Sequence, residues 1–224
     1  MSSSTAISNE GKRRTFFVMG TMGVSIGILL LDSLFFKGVL SAEIWGYGFT
    51  AVFLLYAIAA KDQLILKFLG FAVVAGLAEL VADHYLVAIS DTLIYPTDEP
   101  MLWSSPAYMP FSWTVVLIEF GFLGWLMARK MHPSLAGLLL GVLGALLVPL
   151  YEHWAIDAGW WSYKDTPMLG PVPIYVIIAE GLLMVPVPYL LLCVEKSSWL
   201  WILGLGLIEG AVMLLACILA LAVV

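Results

Sequence analysis

The sequence predicts an all-α integral membrane protein of about seven transmembrane helices, which form a single domain over residues 1–224. Composition favours this fold class, because 62% of the residues are apolar and only 12% are charged. Apolar stretches of about 20 residues recur along the chain, and this is the length that crosses a hydrocarbon core of roughly 30 Å. The composition excludes a soluble domain, and the lack of a basic face excludes nucleic acid as a partner.

The apolar stretches divide the chain into predicted spans that follow a polar tail at residues 1–15. These spans lie at about 16–36, 40–60, 64–88, 110–129, 133–155, 171–194 and 198–222. Sorting the ten Lys and Arg residues by loop places all but Lys37 and Lys164 on one side of the membrane. The positive-inside rule therefore predicts a cytoplasmic N-terminus. The C-terminus and the two long loops, 89–109 and 156–170, are expected outside.

Small residues and prolines predict where two of these spans pack closely or break. Gly137, Gly141 and Gly144 in span five have the small-xxx-small spacing that lets two helix backbones approach each other. Pro186 and Pro188 in span six are expected to break or kink the helix, because proline removes a backbone donor and crowds the preceding turn. Both features concern packing rather than chemistry.

An internal repeat relates residues 78–119 to residues 148–180 and predicts that spans three and four are duplicated as spans five and six. The loop between the helices differs in length, but the helix ends carry similar residues. The matched segments are Asp83-His84-Tyr85 with Glu152-His153-Trp154, Leu93-Ile94-Tyr95 with Trp161-Ser162-Tyr163, and Pro110 and Glu119 with Pro171 and Glu180.

Six acidic residues fall within the spans, between the membrane centre and its outer surface. They are Glu79, Asp83, Glu119, Glu152, Glu180 and Glu209. The sequence places no Lys or Arg at a similar depth, so these acids must be protonated, bind a cation or line water. Intramembrane acids usually face the interior of a bundle and mark a functional site.

Acidic and aromatic residues together favour acid–base chemistry on a lipophilic substrate that enters from the bilayer, with membrane lipid as the other partner and no cofactor. An acid that protonates an alkene or epoxide produces a carbocation, which the faces of aromatic rings stabilise. Isoprenoid cyclisation or hydration needs this combination. The candidate catalytic residues are Asp83, Glu119, Glu152, Asp157 and Glu180, with His84 and His153 tuning them. The candidate substrate-binding residues are Trp113, Trp154, Trp161, Tyr95, Tyr163 and Tyr175.

Two alternatives use the same residues. Asp83, His84, Glu119, Glu152, His153 and Glu180 have the ligand count of a carboxylate-bridged di-iron site, which predicts a metal-dependent oxidoreductase acting on a lipid with iron or another transition metal. That site uses Glu-x-x-His, whereas adjacent residues point about 100° apart on a helix. The spacing therefore favours the acid–base hypothesis. The second alternative is a proton-coupled carrier, since intramembrane acids also serve as proton relays.

Residues 148–185 combine an acid near a helix end, the segment Gly159-Trp160-Trp161-Ser162-Tyr163, a Gly-Pro loop, and a proline and an acid in the next helix. This pattern resembles the lycopene cyclase-type membrane domain of carotenoid biosynthesis, and residues 78–123 resemble it more loosely. The resemblance implies a duplicated bundle of six or seven helices that acts on a polyene without redox change. The expected activity is that of an isomerase or lyase, as in small membrane terpene cyclases and carotenoid hydratases.

By this resemblance, the family's acid positions correspond to Glu152, Asp157 and Glu180, and in the first copy to Asp83 and Glu119. The family carries Pro-x-Glu-Glu or Pro-x-Glu-Asp at the start of the helix after the loop. This chain has Pro171-Val172-Pro173-Ile174 there and its acid at Glu180. The resemblance therefore leaves the substrate open and does not specify lycopene.

Overall fold

The computed structural model describes residues 9–35, 37–96 and 98–224 and confirms the all-α fold class. In these residues, seven helical segments are long and apolar enough to cross a membrane. The helices are α1 (Asn9–Leu34), α2 (Val39–Ala59), α3 (Gln63–His84), α4 (Met109–Ala128), α5 (Pro133–Asp157), α6 (Ile174–Met184), α7 (Val187–Lys196) and α8 (Trp199–Val223). A π-helical turn, Tyr85–Ile89, extends α3. The chain therefore has the architecture of a multi-pass membrane protein.

The helix ends agree with the predicted spans to within a few residues, except at the start of α1. This helix begins at Asn9, so residues 9–15 of the predicted polar tail are helical. Hydropathy marks where a helix becomes apolar, whereas a helix starts where its backbone hydrogen bonds start. Residues 1–8 of the predicted tail lie outside the described part of the chain.

The predicted break in span six is confirmed. Helix α6 ends at Met184 and α7 begins at Val187, with Pro186 between them and Pro188 in the first turn of α7. A proline ring blocks one backbone donor and crowds the carbonyl four residues earlier, so the helix cannot continue unchanged through this pair. The two short helices together form one membrane span.

One end of the bundle, called the basic end, carries the α2–α3, α4–α5 and α7–α8 loops. There Arg14 Nε donates to Asp62 Oδ2 at 2.7 Å, and Asp62 also caps α3 by accepting from two backbone N–H groups. Arg129 Nη1 donates to Glu195 Oε1 at 2.9 Å. Lys67 Nζ donates to the backbone carbonyl of Glu195 at 3.0 Å. These cationic side chains, on which the predicted orientation depends, thus join loops and helices at one end of the molecule.

The opposite end, called the hairpin end, carries six strands of two residues each within the described ranges, which the sequence analysis did not predict. The strands are β1 (Leu93–Ile94), β2 (Met101–Leu102), β3 (Ser105–Pro106), β4 (Ser162–Tyr163), β5 (Met168–Leu169) and β6 (Val172–Pro173). Strands β2 and β3 form one hairpin and β5 and β6 another, while β1 pairs antiparallel with β4. Two residues are too few to produce an alternating pattern in the sequence.

The two copies of the repeat share one order of elements, which is helix, strand, hairpin and helix. The first copy is α3-β1-β2-β3-α4 and the second is α5-β4-β5-β6-α6. Ile94 lies opposite Ser162 in the β1–β4 pair, and the sequence match makes these two residues equivalent. Pairing of equivalent positions is typical of a two-fold relation. Helix α8 packs on α3 and α6, just as α1 packs on the corresponding helices α5 and α4.

The glycines of α5 make the close approach that their spacing predicts. A Cβ atom on Gly144 would lie 2.8 Å from the carbonyl oxygen of Glu180, and one on Gly141 would lie 2.8 Å from the carbonyl oxygen of Gly181. A Cβ atom on Gly137 would also collide with the carbonyl oxygen of Val185. Helices α5 and α6 therefore touch backbone to backbone, and this contact sets the position of Glu180.

Candidate functional site

A cavity lies inside the bundle towards the hairpin end, between α3, α4, α5, α6 and α8. Its space free of protein atoms amounts to about 770 Å³, including the part at its opening. Most of the lining is apolar, but Glu79, Asp83, Glu152 and Glu180 all contribute to it. Among the described residues, no Lys, Arg or His lines the cavity. The arrangement concentrates four carboxyl groups in a space without a basic partner.

The first pair of acids comes from α3. Glu79 and Asp83 are one helical turn apart on the same face, and each side chain is only 3% exposed. Tyr95, which directly follows β1, donates its hydroxyl to Asp83 Oδ2 at 2.7 Å. Both side chains line the cavity from this face of α3.

Glu152 on α5 has the corresponding surroundings in the second copy. Its Oε2 atom accepts from the Tyr163 hydroxyl at 2.7 Å and from Trp161 Nε1 at 2.9 Å. Tyr163 lies in β4 at the position that matches Tyr95. In each copy of the repeat, a tyrosine in the strand or directly after it therefore donates its hydroxyl to one carboxyl group near the end of the first helix.

Both tyrosines lie outside the membrane-spanning segments and keep their protons. Burial, and then the charges of Asp83 and Glu79, raise the pKa of Tyr95 well above its ordinary value. Burial, and then the charge of Glu152, raise the pKa of Tyr163 in the same direction. The two phenols therefore remain protonated hydrogen-bond donors at neutral pH.

Glu180 and Glu79 differ from the other two acids in their partners. Glu180 lies on α6 and is 4% exposed. Its Oε2 atom has no hydrogen-bond partner among the described residues, and the same holds for Glu79 Oε2. A buried polar atom without a partner is costly and needs an explanation. Here both atoms belong to side chains that line the cavity.

Aromatic side chains form much of the remaining wall. Five of the six predicted substrate-binding residues line the cavity: Trp113, Trp161, Tyr95, Tyr163 and Tyr175. Tyr95 meets Trp161 edge to face at a centroid distance of 6.4 Å, and Tyr163 meets Tyr175 edge to face at 6.2 Å. The sixth residue, Trp154, packs against the protein core and is not among the residues that line the cavity.

Glu119, one of the predicted catalytic acids, faces another part of the bundle. The hydroxyl of Ser25 on α1 donates to both of its carboxyl oxygens, at 2.9 and 3.0 Å. The backbone carbonyl of Ser25 in turn accepts from Trp45 Nε1 at 3.1 Å. Glu119 thus belongs to a buried contact between α1 and α4, while its sequence match Glu180 lines the cavity.

The histidines that follow Asp83 and Glu152 turn away from the cavity. His84 Nδ1 lies 2.8 Å from Ser104 Oγ, and the ring stacks on Trp103 at 4.0 Å. Neighbouring residues on a helix point about 100° apart, so when Asp83 faces inward His84 faces elsewhere.

The second histidine has the same relation to its acid. His153 Nε2 lies 3.5 Å from Asp157 Oδ2, and both side chains are more than two-fifths exposed, at 42% and 48%. The six residues of the alternative metal site therefore do not converge. In the described part of the chain, no group of three or more His, Cys, Asp or Glu side chains is arranged to hold a metal ion.

Glu79 is the site residue that the sequence analysis left out of the catalytic set. It lacks a counterpart in the second copy, where Val148 also lines the cavity. The signal that could have identified it is its spacing of four residues from Asp83, which places both acids on one helix face. Tyr151 and Cys217 also line the cavity without having been predicted.

Another buried acid, Glu99, lies outside the spans in the loop before β2. It is 7% exposed, and neither of its carboxyl oxygens has a partner among the described residues. Burial, and then the negative charges of Asp98 and Glu43, raise the pKa of Glu99 to about 7. The folded protein therefore favours the neutral form of this side chain up to near-neutral pH.

Comparison with known families finds a match that covers most of this site and begins one residue after Glu79. The family model of a domain of unknown function, DUF6989, matches residues 80–224. The chain belongs to this family. The DUF6989 region starts within α3 and includes Asp83, Glu152 and Glu180, while α1 and α2 precede it. No curated protein and no solved structure matches the chain. The resemblance to lycopene cyclase-type domains stays a prediction.

Proposed function

We propose that this protein is a membrane enzyme that converts an isoprenoid-like lipophilic substrate by proton addition and proton removal, without redox change. The observation that carries the proposal is the pair of tyrosine-held acids, Asp83 and Glu152, which line one apolar, aromatic cavity. The reaction class is cyclisation, isomerisation or hydration.

Two carboxyl groups are sufficient for this chemistry. One donates its proton to an alkene carbon or an epoxide oxygen, and the neighbouring carbon becomes a carbocation. An internal alkene or a water molecule then attacks that carbon. The second carboxylate removes a proton to give the neutral product. The substrate is neither oxidised nor reduced, and its composition changes at most by one water molecule.

The remaining cavity wall suits a carbocation. Trp161, Tyr95 and Tyr175 line the same space as the acids, and the negative face of an aromatic ring attracts a cation within about 6 Å. The hydrogen bonds from Tyr95 and Tyr163 restrict the two acids to one orientation each. Well-oriented groups need less reorganisation when the proton moves.

Orientation in the membrane follows from the basic end. We propose that this end faces the cytoplasm, because cytoplasmic loops carry an excess of Lys and Arg. The hairpin end and the acids Asp83 and Glu152 then lie towards the opposite side. The substrate enters from the bilayer.

The experiment is a turnover assay in deuterium oxide with protein in lipid nanodiscs. Squalene 2,3-epoxide, lycopene and geranylgeraniol serve as probes of three isoprenoid types, and products are analysed by mass spectrometry. We expect at least one probe to give an isomer or hydrate, which carries deuterium on carbon where an alkene carbon has been protonated. Asp83→Asn and Glu152→Gln should abolish the product. Glu209→Gln is the matched control, since Glu209 is fully buried but is not among the described residues that line the cavity.

The opposite results would refute the proposal. A product that has gained or lost hydrogen other than as water would indicate redox chemistry. Full turnover in both Asp83→Asn and Glu152→Gln would also show that the reaction requires neither acid. Tyr95→Phe and Tyr163→Phe provide milder variants in case the acid substitutions prevent folding, which size-exclusion chromatography detects.

A further inference from the structure

We propose that Glu79 and Glu180 form a subsite that binds a hydroxyl group of the substrate, so that the substrate is a lipophilic alcohol. This inference rests on the proposed function in one respect, since it takes the cavity to be the substrate site. It adds a chemical class of substrate and gives the two remaining cavity acids a role.

The geometry of the two acids supports a ligand-binding role. Glu79 on α3 and Glu180 on α6 line the same cavity from two different helices. Each is more than nine-tenths buried, and each has one carboxyl oxygen without a partner in the described structure. Asp83 and Glu152 differ, because each has one oxygen that accepts from a tyrosine hydroxyl. Of the four acids that line the cavity, Glu79 and Glu180 are the two with a fully buried oxygen that lacks a partner in the described structure.

The first copy of the repeat shows which group can form hydrogen bonds with a buried acid at this position. Glu180 matches Glu119 in the first copy, and both oxygens of Glu119 accept from one hydroxyl, that of Ser25 on α1. By its packing, α8 takes the place beside α6 that α1 takes beside α4. The sequence of α8 contains no serine or threonine. A hydroxyl from the substrate would thus supply at Glu180 what Ser25 supplies at Glu119.

A hydroxyl fits this subsite better than other polar groups. It can donate to a carboxylate and accept from a carboxylic acid, whereas an ammonium group only donates and an ether or carbonyl oxygen only accepts. A phosphate or carboxylate would meet four acids, with no Lys, Arg or His among the described lining residues to balance its charge. The mostly apolar lining suits the hydrocarbon part of such a molecule.

The test compares three probes that share one C15 chain: farnesol, farnesyl methyl ether and farnesylamine. Binding to the protein in phosphatidylcholine nanodiscs is followed by quenching of tryptophan fluorescence, because Trp113 and Trp161 line the cavity. We expect farnesol to bind about tenfold or more tightly than the ether, since the ether leaves buried carboxyl oxygens unpaired. The amine should also bind less tightly than the alcohol.

Variants separate the preference for alcohol over ether from the partitioning of the probes into lipid. Partitioning is the same for every protein variant, so a change in the preference must come from the protein. Glu180→Met should reduce the preference for alcohol over ether to about one, and Glu79→Met should reduce it in the same direction. Glu209→Met should leave the preference unchanged, although Glu209 is as deeply buried and also has unpartnered oxygens in the described structure. The Glu79→Met variant keeps the test available if Glu180→Met fails to fold.

Three results would overturn the subsite: equal binding of alcohol and ether to the unmodified protein, an unchanged preference in a folded Glu180→Met or Glu79→Met variant, or tighter binding of the amine. The turnover assay distinguishes this failure from that of the proposed function. Deuterium incorporation without a preference for the alcohol would refute the subsite alone. A preference that depends on Glu180, without deuterium incorporation in any probe, would support the subsite and refute the enzymatic proposal.

Discussion

Removing the hydroxyl of Tyr163 tests how much its hydrogen bond to Glu152 contributes to stability. The Tyr163→Phe substitution keeps the aromatic ring and deletes the donor that lies 2.7 Å from Glu152 Oε2. This distance is typical of a strong O–H···O hydrogen bond. Glu152 retains the second donor, Trp161 Nε1 at 2.9 Å, so its carboxyl group does not lose all its partners.

The expected loss of unfolding free energy in Tyr163→Phe follows from these contacts. A buried hydrogen bond contributes about 1 kcal/mol when both groups are neutral and about 1.5–3 kcal/mol when one is charged. Since Trp161 still partners the same oxygen, we expect Tyr163→Phe to lower the free energy of unfolding by about 1–2 kcal/mol. The double-mutant cycle with Glu152→Gln should give a coupling energy of about 1 kcal/mol or more.

Unfolding in mixed detergent micelles is monitored by circular dichroism. Tryptophan fluorescence is avoided as the signal, because Trp161 lies beside the substituted residue. Tyr189→Phe is the matched control, because Tyr189 is 61% exposed. A coupling energy below about 0.5 kcal/mol between residues 163 and 152 would show that the hydrogen bond does not hold the acid, since uncoupled sites are additive to about that value. In the turnover assay, Tyr163→Phe should lower the rate about tenfold, because each 1.4 kcal/mol corresponds to that factor.

Three further predictions test the packing and the charges around the cavity. Gly144→Leu should destabilise the protein by about 1–3 kcal/mol and weaken ligand binding, because the new side chain collides with the backbone of Glu180; thermal unfolding and the farnesol assay measure both effects. Asp62→Ala should lower the free energy of unfolding by about 2–3 kcal/mol, because it removes the buried anion of Arg14, which in the described structure keeps only the exposed Glu10, and removes the cap of α3. Glu99→Gln should flatten the dependence of the unfolding midpoint on pH. The raised pKa of Glu99 gives stability that is complete below about pH 4.5 and is lost as the pH rises through about 7.

Each of these predictions has a control and a contradicting result. A Cβ atom on Gly48 would meet no atom of the described structure within 4 Å apart from its own turn of helix, so Gly48→Leu should be tolerated; equal tolerance of Gly144→Leu would argue against the close contact of α5 and α6. Asp62→Asn keeps a capping oxygen and should cost less than Asp62→Ala. If the Glu99→Gln variant showed an unchanged pH profile, another group would be responsible for it.

Asp83 and Glu119 show how much of the candidate site could be predicted from the sequence. Both were predicted to be catalytic acids from their depth and their place in the repeat. The structure places Asp83 in the cavity and Glu119 against Ser25 of α1. Helical spacing fixes the angle between two residues of one helix, but the rotation of that helix relative to its neighbours depends on packing. For the same reason the sequence could identify the histidines beside Asp83 and Glu152 as candidates but could not show that they point away from the cavity.

The sequence by itself determined the seven spans, the break at Pro186 and the close packing along the glycines of α5. These features follow locally from the bilayer, which requires long apolar segments whose backbone groups bond within the helix. Only the tertiary structure decided which acids meet. The tyrosines reach Asp83 and Glu152 through strands of two residues, and the pairing of β1 with β4 joins segments far apart in the chain. Such pairing depends on long-range contacts, for which two residues carry no local pattern.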